Sequence, residues 1–276
     1  KTIRDIKSIN QSDKPFFIAV GFQKPHLPFV APKKYWDLYD RNDIVLPYNN
    51  FFPPNAPQKA NYFYELRKFT DIPKKGAISD DKAKELIHAY YACVSYIDAQ
   101  IGLILDELKN QGLSNNTTVV LTSDHGFSLS EHGRWTKHNL FQYELKIPMI
   151  ISSPKYKKNK TSESFVELVD LYATFCDLAD VETPDFVQGK SLVSNLKNPK
   201  KVTSEIAFSI WKNGETLISN KYYYTEWKRK GSVTDRMLYD IENDELQMNN
   251  IAEIKSNKTI VDSLSVMLNK HIMSKK

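Results

Sequence analysis

Thr118-Val119-Val120-Leu121-Thr122-Ser123-Asp124-His125-Gly126 is an apolar, β-branched run that stops on a carboxylate and an imidazole. Its first five residues have the length and composition of a buried strand of a parallel sheet, bounded upstream by the turn-like Ser114-Asn115-Asn116. Asp124 and His125 then stand at the carboxyl end of that strand, where open α/β sheets bind their ligands. Glu131-His132-Gly133 and Lys137 follow in a glycine-punctuated stretch that reads as a loop.

Upstream, Ser79-Asp80-Asp81 opens a helix whose apolar residues Leu86, Tyr90, Cys93, Ile97, Ile101, Ile104 and Leu108 recur at threes and fours until Gly112 ends it. Residues 2–13, with Ile3, Ile6 and Ile9, read as an amphipathic helix stopped by Lys14-Pro15. Residues 16–22 form a strand-length apolar run, followed by Pro25-His26-Leu27-Pro28, which can continue neither strand nor helix. Residues 32–77 are a proline-, asparagine- and aromatic-rich excursion of a length usually reserved for functional loops. Downstream come a strand at 147–151 and a helix at 165–179, so strands and helices alternate as in an α/β body. Beyond about residue 198 the runs 206–210, 216–219, 222–225 and 237–241 are β-rich and a helix at 259–272 closes the chain, which predicts a small α+β appendage.

The 276 residues are enough for one large domain or a body with a smaller appendage. A charged fraction of 26% and a hydrophobic fraction of 41% place the chain in the ordinary globular class, and no apolar run approaches the roughly 18 residues of a membrane span. The net charge of +5 is spread along the chain without a nucleic-acid-type stripe. The densest tract, Lys155-Tyr156-Lys157-Lys158-Asn159-Lys160, reads as a solvated loop, with capture of a polyanion as the other reading. Cys93 and Cys176 lie in apolar helical surroundings and imply no disulfide framework.

For chemistry, Asp124 offers a carboxylate suited to a hard cation and His125 an imidazole suited to a metal or a polar contact; a capping Asp with a packed His is the plainer alternative. Lys137 is a point charge for sulfate or phosphate oxygens, or merely a solvated lysine. His138 and Phe127 could line the same pocket, or be surface and core residues respectively. His26 sits between two prolines that fix its backbone, which suits general acid work as well as a structural hydrogen bond.

Read in order, residues 16–29, 91–102, 122–137, Ile147-Pro148-Met149-Ile150, residues 166–174, Leu238-Tyr239-Asp240 and Asn249-Asn250-Ile251-Ala252 resemble the sulfatase family of the alkaline-phosphatase superfamily, in its iduronate-2-sulfatase-like branch. The resemblance spans nearly the whole chain. It implies an α/β fold, an alkaline-phosphatase-like sheet flanked by helices with its amino-terminal part missing. Residues 1–197 would be the carboxyl-terminal part of the catalytic domain and residues 198–276 a small α+β subdomain. It implies sulfuric ester hydrolysis on a sulfated carbohydrate, a 2-O-sulfated uronate of a glycan, in a periplasmic, extracellular or lysosomal setting. The implied cofactors are Ca²⁺ and a formylglycine made from a cysteine.

By position, Asp124 would be a Ca²⁺ ligand and His125 a metal-site or nucleophile-contacting residue. Lys137 would bind sulfate oxygens, and His26 would contact the sulfate and protonate the departing alcohol. Phe127 and His138 would touch substrate. The family's Cys-x-Pro/Ala-x-Arg nucleophile is matched by neither Cys93-Val94-Ser95-Tyr96-Ile97 nor Cys176-Asp177-Leu178-Ala179-Asp180. The chain is therefore expected to be a fragment, processed product or remnant, with an incomplete Ca²⁺ site and no turnover alone, and its partners would be a sulfated saccharide and the missing amino-terminal segment. Beside this stand a phosphoester or phosphonate-ester hydrolase of the same superfamily and a non-catalytic binder of anionic glycans.

Overall fold

The computed structural model describes residues 1–9, 14–62 and 64–273. In chain order its elements are α1 (Thr2–Ile9), α2 (Lys33–Trp36), α3 (Asp80–Asn110), β1 (Val119–Thr122), β2 (Ser128–Leu129), β3 (Trp135–Thr136), α4 (Gln142–Leu145), β4 (Met149–Ser152), α5 (Asp170–Leu178), α6 (Val193–Lys197), β5 (Ile206–Trp211), β6 (Gly214–Ser219), β7 (Tyr222–Arg229), β8 (Ser232–Asp240) and α7 (Lys258–Met273). Strands and helices mix as an α/β fold requires. Part of the expected first helix, residues 10–13, lies outside the described residues. No described helix is long and apolar enough to cross a membrane.

Two compact units divide the chain, each assembled from three segments: Lys1–Tyr48, Tyr64–Leu121 and Ile150–Lys155 in the first, and Asn49–Phe63, Thr122–Met149 and Tyr156–Lys276 in the second. The first is organised on α3. Ser79 caps its start by accepting the Lys82 N–H at 3.3 Å. At its end Gly112 turns left-handed at φ +71°, Leu113 N–H reaches Leu108 O and Gly112 N–H reaches Lys109 O, a Schellman closure. One face buries Leu86, Ile87, Ala92 and Cys93, while His88 stacks on Trp36 at 3.9 Å and its Nε2 hydrogen-bonds the Trp36 carbonyl.

β1 and β4 pair as a two-stranded sheet. The apolar run 16–22, expected as a strand, joins no ladder among the described residues, and Phe17 is 74% exposed. Apolarity gives a segment the propensity for a strand, but the hydrogen bonds need a neighbour. Helix α5 begins at Asp170, later than the expected 165, because the Asp170 carboxylate accepts the N–H groups of Glu167 and Lys190 and holds the approach to the helix in a turn.

The second unit is built on the antiparallel sheet β5-β6-β7-β8. Alternation along β7 and β8 sends Tyr223, Trp227, Met237 and Tyr239 to one face, against Ala60, Leu140 and Phe141. It sends Tyr224 and Leu238 to the other, against Leu217 and against Val261, Leu264 and Leu268 of α7. With both faces covered, β7 and β8 run longer than their apolar stretches predict, and Glu226 faces Arg236 across the pair. Leu238→Ala should lower unfolding free energy by about 2–5 kcal/mol, whereas Val266→Ala, 68% exposed on α7, should change it by less than about 0.5 kcal/mol; urea denaturation of the two variants checks this.

Candidate functional site

β1 delivers the chain to Ser123, whose hydroxyl donates to the His125 carbonyl at 2.8 Å and closes the turn on which Asp124 and His125 stand. Gly126 is then pressed onto α4. Its N–H reaches the Glu144 carbonyl at 2.8 Å, and a Cβ there would lie 2.1 Å from the Tyr143 carbonyl oxygen. Only glycine fits this approach. The His125 Nδ1 lies 2.7 Å from the Gly126 carbonyl. A carbonyl can only accept, so Nδ1 carries the proton and a neutral ring presents its lone pair at Nε2. That Nε2 is 3.7 Å from Asp124 Oδ2, and the Asp124 side chain is 86% exposed.

Lys137 leaves the short hairpin β2–β3, in which Ser128 pairs with Thr136 and Leu129 with Trp135. Left-handed backbone recurs at Ser130, His132, Gly133 and Thr136, where φ is +89°, +53°, +63° and +80°. Thr136 is β-branched and buried, so this conformation stores about 1–3 kcal/mol of strain immediately before Lys137. Hydrogen bonds hold the hairpin in it: Ser130 N–H to Arg134 O, His132 N–H to Asn49 O and Glu131 Oε2 from the Leu129 N–H.

Beneath the hairpin lies a buried polar cluster. Ser128 donates to Glu144 Oε1, and Arg134 Nη1 donates to Asn61 Oδ1 at 3.1 Å. Burial pushes the Glu144 carboxyl from 4.5 up to about 7 against the pull of the nearby Arg134 charge. Burial likewise drives Arg134 down to about 10 and His132 down to about 4. His132 packs on Phe141 at 4.2 Å with its Nε2 on the Leu246 carbonyl, a structural histidine.

Asp124, His125, Lys137 and His138 line one cavity of about 880 Å³, together with Phe208 and Trp211 of β5 and His271 of α7. The volume suits a small organic ligand. Phe127 is half-buried and does not join that lining. His26 belongs to the first unit, where its Nδ1 lies 2.7 Å from the Leu27 carbonyl, its Nε2 lies 3.6 Å from Glu65 Oε1, and Lys24 Nζ donates to the carbonyls of His26 and Pro28. Among the described residues no group of three or more His, Cys, Asp or Glu side chains is placed to hold a metal ion. Ca²⁺ takes six to eight oxygens, so Asp124 and His125 do not make up such a site by themselves.

Sequence reasoning missed Glu144, Trp211 and His271 as cavity residues. Glu144 sits in an apolar helical stretch, and the other two lie in the appendage, with no chemical motif around them.

The sulfatase family model matches residues 2–181, and a model described as N-sulphoglucosamine sulphohydrolase, C-terminal, matches residues 130–274. A sulfatase of Formosa agariphila is 31% identical over 263 residues, covering 93% of this chain and 50% of its own length. Iduronate 2-sulfatase of Mus musculus is 31% identical over 216 residues, covering 67% of this chain and 39% of its own. A structure solved in complex with its substrate D-glucosamine-2-N,6-O-disulfate superposes with a TM-score of 0.84 at 22% identity, over 98% of this chain and 68% of that one. Phosphonate monoester hydrolase of Agrobacterium radiobacter superposes with a TM-score of 0.81 at 21% identity, over 100% of this chain and 60% of that one. At those identities the two structures speak for the fold alone. The chain spans about half the length of the curated relatives it matches.

The buried cluster makes stability depend on pH in a checkable way. Between 4.5 and about 7 the folded chain keeps a proton on Glu144 that the unfolded chain has released, so stability falls as pH rises through that window. His132, neutral down to about 4, contributes a limb of opposite slope between about 4 and 6.5. Replacing Glu144 alone removes only the falling limb. The stability of Glu144→Gln relative to the parent should therefore rise by about 3 kcal/mol from pH 4.5 to 7.5 in urea denaturation, and a constant difference would refute the assignment.

Proposed function

The chain belongs to the sulfatase family, and we propose that it is the carboxyl-terminal part of a sulfuric ester hydrolase acting on sulfated carbohydrate, with a 2-O-sulfated uronate of a glycan as substrate. The observation that carries this is the convergence of Asp124, His125, Lys137 and His138 on one cavity within a chain of this family. Residues 1–197 then belong to the catalytic domain and residues 198–276 to its appended subdomain. A sulfate ester carries charge on its non-bridging oxygens and develops more on the leaving oxygen as the S–O bond breaks. Lys137 supplies an ammonium to the first, and His26, carried on its proline-bounded loop, supplies a proton to the second. His138, which lines the cavity, contacts the substrate, whereas Phe127 stands outside that lining. The enzyme works outside the cytoplasm: periplasmic, extracellular or lysosomal.

Asp124 contributes one oxygen to a Ca²⁺ site, with His125 beside it, and the remaining ligands and the formylglycine nucleophile come from a segment preceding Lys1. Neither cysteine of this chain serves as that nucleophile: Cys93 is fully buried and burial pushes its thiol up, and Cys176 sits on α5 away from any matching motif. The preceding segment also supplies the partner for exposed apolar surface on the first unit, where Tyr91, Val94, Leu103 and Leu105 of α3 and Ile150 of β4 are each at least 40% exposed.

The full-length protein should release sulfate from a 2-O-sulfated unsaturated uronate disaccharide. Lys137→Ala should lower kcat/KM by about 100-fold or more, and residues 1–276 alone should show no turnover. Preferential hydrolysis of a phosphonate monoester by the full-length protein would replace this reading with the phosphonate-ester one, which the fold equally accommodates. Binding of sulfated disaccharide without turnover by the full-length protein would replace it with the non-catalytic one.

A further inference from the structure

A second cation stands beside two residues of the cavity wall. Tyr62, His138 and Trp211 form a cluster of three rings, with centroids 5.1 Å apart for Tyr62–His138, 5.7 Å for Tyr62–Trp211 and 5.9 Å for His138–Trp211. His138 and Trp211 both line the cavity, and His138 follows Lys137 directly in the chain. Over these rings stands the Lys212 ammonium, 4.2 Å from the Trp211 centroid and 4.9 Å from that of Tyr62. Lys221 and Lys228 of the same sheet are ion-paired with Glu242 and Glu215. Lys212 meets no carboxylate within 4 Å among the described residues, and aromatic faces are its neighbours instead.

Its position is held by the backbone. Lys212 and Asn213 are the two-residue loop between β5 and β6, closed by the Trp211–Gly214 pair. Lys212 adopts φ +54°, a conformation easier for glycine or asparagine than for lysine. The Asn213 side chain donates to Lys228 O at 2.8 Å, Lys228 N–H returns to Asn213 O, and Gly214 lies so close to Leu140 and Trp227 that a Cβ would sit 2.6 Å from Leu140 Cδ1. The turn cannot relax without disturbing the core beneath it. A strained lysine held this firmly over the cavity-lining Trp211 has the character of a ligand-facing residue.

We infer that Tyr62, Trp211 and Lys212 form a subsite for a second negative charge on the sugar, a carboxylate or a further sulfate ester, beside the sulfate handled at Lys137. Aromatic rings accept the C–H faces of a pyranose, and an ammonium above them adds charge to shape. With the scissile sulfate at Lys137, the ring of the same saccharide lies across His138 and Trp211 and carries its second anion toward Lys212. The inference rests on the sulfated-carbohydrate reading and names the residues that would hold the sugar's second charge.

The test compares kcat/KM of the full-length protein on three substrates: a neutral sugar with one sulfate, a sulfated uronate, and a hexosamine with two sulfates. The parent should prefer one or both of the doubly charged sugars. Lys212→Gln should reduce the ratio of doubly to singly charged substrate by about tenfold, the loss of one partly exposed ion pair, with Lys212→Arg restoring it and Trp211→Phe reducing it less. Which doubly charged sugar loses its advantage identifies the second anion as carboxylate or sulfate. A parent with no preference for a second charge, or a ratio that Lys212→Gln leaves unchanged, overturns the subsite while hydrolysis of the sulfated sugars upholds the broader function. Hydrolysis of none of the three overturns both.

Discussion

The approach of Gly126 to the carbonyls of α4 is the constraint on which the site depends. Backbone meets backbone there with no room for a methyl group, and the Gly126 N–H is spent on Glu144 O. The turn bearing Asp124 and His125 is thereby fixed to the same short helix whose Glu144 side chain reaches up to Ser128 of the next hairpin. Two loops that a sequence would allow to move separately share one anchor. The strained run through Thr136 can then place Lys137 in the cavity with little freedom left to it, which is what pre-organised recognition of an anion requires.

That anchor is electrically expensive. Glu144 and Arg134 are both nearly inaccessible, Glu144 resists ionisation, and Arg134 is held on Asn61 and by the Glu144 charge. Burying these two groups costs more than apolar packing would, since Glu144 Oε2 and Arg134 Nε meet no hydrogen-bond partner among the described residues. The pair's service here is geometric: it fixes the floor under the Asp124 turn and the Lys137 hairpin together.

Residues whose chemistry and local pattern coincide were legible in the sequence. Ser79 and Gly112 mark the ends of α3 within a residue or two because capping and left-handed closure are local physics. Asp124, His125, Lys137 and His138 were legible as one group because short, turn-rich spacing keeps them together, and the cavity does gather them. Residues 16–22 misled because strand formation is a property of two segments, and composition reports on one. Glu144 and Trp211 were illegible for the same reason: both lie outside every element read from the sequence, and only pairing at long range, with Ser128 for one and with Tyr62 and His138 for the other, gives each a place at the site.

The threading of the two units has a bearing on how the molecule is made. The second unit needs Ala60, from a segment near residue 60, packed against Leu140 and against strands that leave the ribosome more than a hundred residues later. Such closures are paid for in chain entropy before they are rewarded in contacts. The long middle helix can form while synthesis continues, but the cavity cannot exist until the last sheet has been translated and residues 49–63 have been drawn into it. No single cut of the gene yields either unit whole, so the cavity is a late product of biosynthesis.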